Sequence, residues 1–120
     1  MPHLRGVGAL AEYIVVSKES VVRKPDHVNM EEAARLGIAG CTAVPLVKGA
    51  RVKMGDIVLV DGASGGVGTL IIQLAKRTLG ESGKVVAVCS GKNAEFVKGL
   101  GVNEVCIFKT TRTECVVMRK

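Results

Sequence analysis

The stretch that most constrains this chain runs from Ile57 to Leu79, IVLVDGASGGVGTLIIQLAKRTL. It opens on Ile57–Val60, a short unbroken apolar run of the kind that forms a strand covered on both faces, as in a parallel sheet. The glycine-rich turn Gly62–Gly68 (GASGGVG) follows, and then Val67, Leu70, Ile71, Leu74, Ala75 and Leu79 recur at the spacing of one helix face. A strand that passes through a tight turn into an amphipathic helix has few ways to continue. The helix must lay its apolar face back on the sheet, and the next strand then lies parallel to the first through a right-handed crossover.

The residues downstream continue that alternation. Gly80–Gly83 breaks the helix, Lys84–Cys89 (KVVAVC) reads as a second strand, Asn93–Leu100 as a short helix stopped by Gly101, and Glu104–Phe108 as a third strand. Upstream, Ala9–Val16 alternates loosely and predicts a strand, Ser20–Arg23 a short extended piece, and Pro25-Asp26 a turn. Asn29 followed by Glu32 resembles a capping box, opening a helix that runs to Val47 with an interruption near Gly37–Gly40. With no Trp, one Tyr (Tyr13) and two Phe (Phe96 and Phe108), the core must be aliphatic. These readings predict an α/β fold: a partial Rossmann domain, half of a doubly wound parallel sheet.

The glycine turn also carries chemistry. A pyrophosphate can approach backbone only where no Cβ intervenes, and the first turn of a helix offers unpaired N–H groups and a positive dipole end. Against G-x-G-x-x-G, the stretch is Ala63-Ser64-Gly65-Gly66-Val67-Gly68, with alanine for the first glycine. Gly65 would allow the close approach and Gly68 the tight packing of helix on strand. The place of the motif between a buried strand and an amphipathic helix is what raises it above a chance run of glycines. A Walker A loop is excluded because no Lys follows the glycines, and a methyltransferase site lacks the acidic residue at the end of the second strand.

At that strand end an NAD site would place Asp or Glu to bind the adenosine ribose. This chain has Cys89-Ser90-Gly91-Lys92. A carboxylate would repel a 2′-phosphate, whereas the Ser90 hydroxyl and the Lys92 ammonium would bind one, so NADPH is the expected cofactor. The alternative for Lys92 is the start of a solvated helix.

A formal net charge of +6 raises the question of nucleic acid. The cations are dispersed and no aromatics are interleaved to stack on bases, so a solvated surface is the expectation. The four cysteines (Cys41, Cys89, Cys106 and Cys115) lack C-x-x-C spacing, which fits free thiols in a reducing setting. No segment has the length of a membrane span. The expected location is the cytoplasm, with organelle import open.

With these residues in place, the chain resembles the medium-chain dehydrogenase/reductase superfamily, in its zinc-independent, zeta-crystallin-like quinone oxidoreductase branch. The resemblance rests on GALAEYIVV, AARLGIAGCTA, VKMGDIVLVDGASGGVGTLIIQLAK and VVAVCSGKNAEFVKGLGVNEV, in order, from Gly8 to Phe108. It implies that residues 1–28 end a GroES-like β catalytic domain and that 29–120 form the first half of a truncated Rossmann domain. It also implies hydride transfer from NADPH to a small electrophile, a quinone or an enone, and allows a homodimer. Ala63, Ser64, Gly65, Gly66, Val67 and Gly68 match the family's pyrophosphate turn, and Ser90 and Lys92 its 2′-phosphate contacts. Thr42 matches a position near the nicotinamide end.

The segment that carries a zinc ligand in related alcohol dehydrogenases aligns Ile38 there, not Cys41. No G-H-E motif occurs and His3 and His27 are isolated, so no metal is expected. Phe108 stands where the family often has Tyr, and the tail from Lys109 onward matches nothing in the family pattern. No catalytic side chain is identified. The alternative function is a non-catalytic dinucleotide-binding or inert fragment of such a reductase.

Overall fold

The computed structural model describes residues 9–108. The chain divides into two compact units, with the boundary between Ala33 and Ala34.

Among the described residues of the first unit, the only regular element before the helix at its end is a single 3₁₀ turn, Lys18–Ser20. Ala9–Val16, expected as a strand, pairs with nothing and is not one. Leu10, Tyr13 and Val15 are 104%, 90% and 98% exposed, so the alternation has no sheet to face. A strand is completed by a partner's hydrogen bonds, and no partner exists among the described residues. Val21, in the segment expected to be extended, has φ −119° and ψ 135°. Asn29 and Glu32 do form the reciprocal capping box. The Glu32 N–H donates to Asn29 Oδ1 at 2.8 Å, and the Asn29 N–H donates to Glu32 Oε2 at 3.3 Å.

From that cap α1 spans Met30–Gly49 without the interruption expected at Gly37–Gly40, and it contains Pro45. A glycine lowers helix propensity by about 1 kcal/mol but forbids nothing, so the pair of glycines leaves the helix intact. Ala43 is the one fully covered side chain of α1.

The second unit is the α/β layer anticipated from the apolar runs. Its strands are β1 (Ile57–Val60), β2 (Lys84–Cys89) and β3 (Glu104–Ile107), joined by α2 (Gly66–Leu79) and by α3 (Ala94–Gly99), which a 3₁₀ turn at Gly91–Asn93 precedes. The sheet order is β1-β2-β3, parallel throughout. Val60 lies opposite Ala87, and Cys89 opposite Ile107. The carboxyl ends of β1 and β2 are therefore side by side, and the turns that leave them are neighbours.

The core lies between β2 and the helices. Ile72, Ala75 and Leu79 of α2 pack with Val60, Val85, Ala87, Cys89 and, from α3, Val97. Removing each of the larger aliphatics from water contributes about 1.5–3 kcal/mol, which is what holds α2 on the sheet. Asn103 completes the start of β2. Its N–H donates to Val85 O at 2.9 Å, and its Oδ1 accepts from the Val85 N–H at 2.8 Å.

β1 is less covered than its composition implies. Val60 is buried, but Ile57 is 39% exposed and Val58 and Leu59 are half-buried. An unbroken apolar run reports a strand that is suited to two-sided cover. Here β1 is an edge of the described sheet, and β2 alone has a neighbour on both sides. No helix among the described residues is long and apolar enough to cross a membrane.

Candidate dinucleotide-phosphate site

The turn leaving β1 is shaped by its backbone. Gly62 has φ +64°, in the left-handed region where a side chain is strained. Its carbonyl accepts from the Gly65 N–H at 2.9 Å and closes the bend, while its own N–H donates to Asp61 Oδ1 at 2.8 Å. A further bond anchors the bend to the sheet: the Ala63 N–H donates to Val88 O of β2 at 3.0 Å, and Ala63 is fully buried.

α2 starts at Gly66, directly after this bend. Gly65 occupies the cap position and has no side chain to satisfy the amides behind it. The N–H groups of Gly66, Val67 and Gly68 have no acceptor among the described residues. The first turn carries no acidic residue. Three free donors, the positive end of a 14-residue helix and a first turn without a carboxylate of its own are the features that receive a phosphate oxygen.

The glycines divide by role. A Cβ on Gly68 would lie 2.3 Å from Gly62 O and 2.9 Å from Ala63 Cα, so only glycine lets the helix start this close to the bend. Gly65 and Gly66 are exposed. A Cβ on Gly65 would meet only Gly62 O, at 3.2 Å, and one on Gly66 only Ala39 Cβ of α1, at 3.9 Å. No other described atom lies within 4 Å of either added Cβ, which suits the close approach of a ligand.

The segment after β2 lies beside this turn. Ser90 is half-buried, and its carbonyl accepts from the Asn93 N–H at 2.9 Å, closing the 3₁₀ turn. Lys92, within it, is exposed and has no hydrogen bond or ion pair among the described residues. The two segments are joined by Asn93, whose Nδ2 donates to Ser64 Oγ at 2.9 Å. Ser64, Ser90 and Lys92 are thus brought into one neighbourhood. Thr42 is not tied to it: its Oγ1 donates to Ile38 O within α1, at 2.8 Å, and α1 approaches the turn one helical turn earlier, at Ala39.

Sequence reasoning does not reach Asn93. At a strand-to-helix junction it looks like a helix start, and nothing in the local pattern points 29 residues back to Ser64. A shallow cavity at the other end of β2 is lined by Lys76, Glu81, Val85 and Asn103. Two of its polar groups are already engaged, Lys76 Nζ with Gly101 O and Asn103 Oδ1 with the Val85 N–H, and it offers no cluster of free donors. Among the described residues no group of three or more His, Cys, Asp or Glu could hold a metal ion.

No protein-family model matches the chain. A chloroplast envelope quinone oxidoreductase homolog of Arabidopsis thaliana is 41% identical over 116 residues, covering 92% of this chain and 34% of that protein. A 2-methylene-furan-3-one reductase of Solanum lycopersicum is 43% identical over 96 residues, covering 80% of this chain and 24% of that protein. Among solved structures, the quinone oxidoreductase of Thermus thermophilus, described also in complex with NADPH, superposes with a TM-score of 0.70 at 31% identity. That match covers 82% of this chain and 32% of the other. The chain spans about a third or less of the length of these relatives.

Proposed function

We propose, for a chain homologous to the zeta-crystallin-like quinone oxidoreductases of the medium-chain dehydrogenase/reductase superfamily, that it binds the phosphate-bearing half of NADPH. The observation that carries this reading is the set of free amide donors at Gly66, Val67 and Gly68, presented beside two glycines with open space above them. Ala63 to Gly68 would hold the pyrophosphate. Ser90 and Lys92 would take the 2′-phosphate, the hydroxyl as a hydrogen-bond partner and the ammonium as the opposite charge. Thr42 would lie towards the nicotinamide.

For the complete protein we infer reduction of a small electrophile, a quinone or an enone, as the names of its relatives suggest. The cofactor supplies the hydride, and the protein binds and orients it. What this chain contributes is an anchor that fixes the adenosine end, so that the nicotinamide is held in a constant position. On the same reading residues 1–28 end a GroES-like catalytic domain and residues 29–120 open the dinucleotide-binding domain. The exposed apolar edge at Ile57 supports pairing with further protein, whether more of the same domain or a second copy. We assign the chain to the cytoplasm or, as for the relatives named from chloroplasts, to an organelle.

The test is calorimetric titration of the 120-residue chain with NADPH and NADH. NADPH should bind at least several-fold tighter, and Lys92→Ala should narrow that difference. Equal affinities would remove Ser90 and Lys92 from the site, and no binding of either would remove the site. Gly65→Asp should abolish binding of both, since a carboxylate there opposes the pyrophosphate by charge and by volume.

A further inference from the structure

We propose that Asn93 is a positioning residue for the dinucleotide, fixing the direction in which Ser64 donates and tying the pyrophosphate turn to the 2′-phosphate segment. The inference rests on the cofactor reading above and goes beyond it. It assigns a role to a residue outside both binding segments that the sequence pattern marks.

Three observations carry it. First, Asn93 stands at the cap position of α3, where asparagine ordinarily accepts a bond from the first turn of the helix. Its side chain makes no capping bond there. It is turned instead across the site to Ser64, 29 residues away, in a half-buried contact of 2.9 Å. Its backbone, at φ −103° and ψ 2°, is not the extended one a capping side chain needs, and the long-range bond takes the place of a cap.

Second, the polarity of that bond decides what Ser64 can do. A hydroxyl has one hydrogen and two lone pairs. Because Ser64 Oγ accepts from Asn93 Nδ2, its own hydrogen remains available, and no acceptor for it is found among the described residues. Ser64 thus adds a donor to the free amides of the adjoining turn. Third, the same residue's backbone N–H donates to Ser90 O at 2.9 Å and closes the segment that carries Ser90 and Lys92. One residue therefore ties together the two segments assigned to two phosphate groups of a single ligand.

The test uses the full chain with NADPH and NADH as probes, by calorimetry, with thermal unfolding measured alongside. Asn93→Ala should weaken both ligands by roughly three- to tenfold, the range for loss of one neutral hydrogen bond. Ser64→Ala removes that bond together with the donor it orients and should cost at least as much as Asn93→Ala. The double variant should lose no more than Ser64→Ala alone, because Asn93 acts only through Ser64. Asn93→Asp keeps the shape but offers an acceptor, drawing the Ser64 hydrogen inward and adding negative charge. It should cost more than Asn93→Ala, and more for NADPH than for NADH.

Affinities within twofold of wild type for Asn93→Ala, or losses that simply add in the double variant, would overturn the role of Asn93 while leaving the cofactor reading intact. A wild-type chain that binds neither nucleotide would overturn both.

Discussion

Replacing Gly68 by alanine adds one carbon atom at the tightest point of the site. In an unconstrained helix the change would stabilise by about 1 kcal/mol, since alanine is the better helix former. Here the new Cβ would lie 2.3 Å from Gly62 O, 2.9 Å from Ala63 Cα and 3.0 Å from Gly62 C. All three are backbone atoms, so no flexible side chain can swing aside. The bend that holds them is bonded to β2 through Ala63, so it cannot drift outward without losing that bond. Restoring ordinary contact requires a separation of about 1 Å between helix and bend, and overpacking of this kind costs about 1–3 kcal/mol. With the propensity gain set against a cost at the upper end of that range, we expect a net loss of about 1–2 kcal/mol, or a melting temperature roughly 5–15 °C lower. NADPH affinity should fall with it, because the free amides move with the helix start. Gly66→Ala is the matched control. Its Cβ would meet only Ala39 Cβ at 3.9 Å, so its stability should be unchanged or slightly raised. Unfolding curves for the two variants, followed by circular dichroism, decide the matter. A Gly68→Ala protein that melts at or above wild type and binds NADPH normally would refute the steric argument.

Two further outcomes follow from other parts of the chain. Asn29→Ala removes the side-chain half of the capping box and should cost about 1 kcal/mol of stability, read by urea denaturation, with no change in nucleotide affinity. Brief alkylation of the native protein should label Cys41 and Cys106, which are exposed, and spare buried Cys89 until denaturant is added, as peptide mass spectrometry would show.

The parts of this fold that can be read from sequence are those fixed by local chemistry. The limits of β2 at Lys84 and Cys89, the helix after the glycine turn and the Asn29–Glu32 cap each depend on residues close together in the chain. What is not legible depends on neighbours that are distant in the chain. Ala9–Val16 has the alternation of a strand but no strand beside it among the described residues. Ile57–Val60 has the composition of a central strand but lies at an edge of the described sheet. The glycines of α1 signal a break that a well-capped helix does not need. The same distinction applies to the site. Gly68 can be assigned its packing role because the motif states it, whereas Asn93 cannot be found, because its partner is set by how two strand ends are juxtaposed.

The amide of Ala63 bonded to β2 has one consequence for the lifetime of the bend. A loop held only by its own short-range contacts opens and recloses independently of the body that carries it. This one shares a bond with the central strand, so it should unfold only in the larger openings that also release β2. Deuterium should then enter at Ala63 as slowly as at the interior amides of the sheet. A ligand of this turn would then meet a shape already set, with little ordering left for binding to impose.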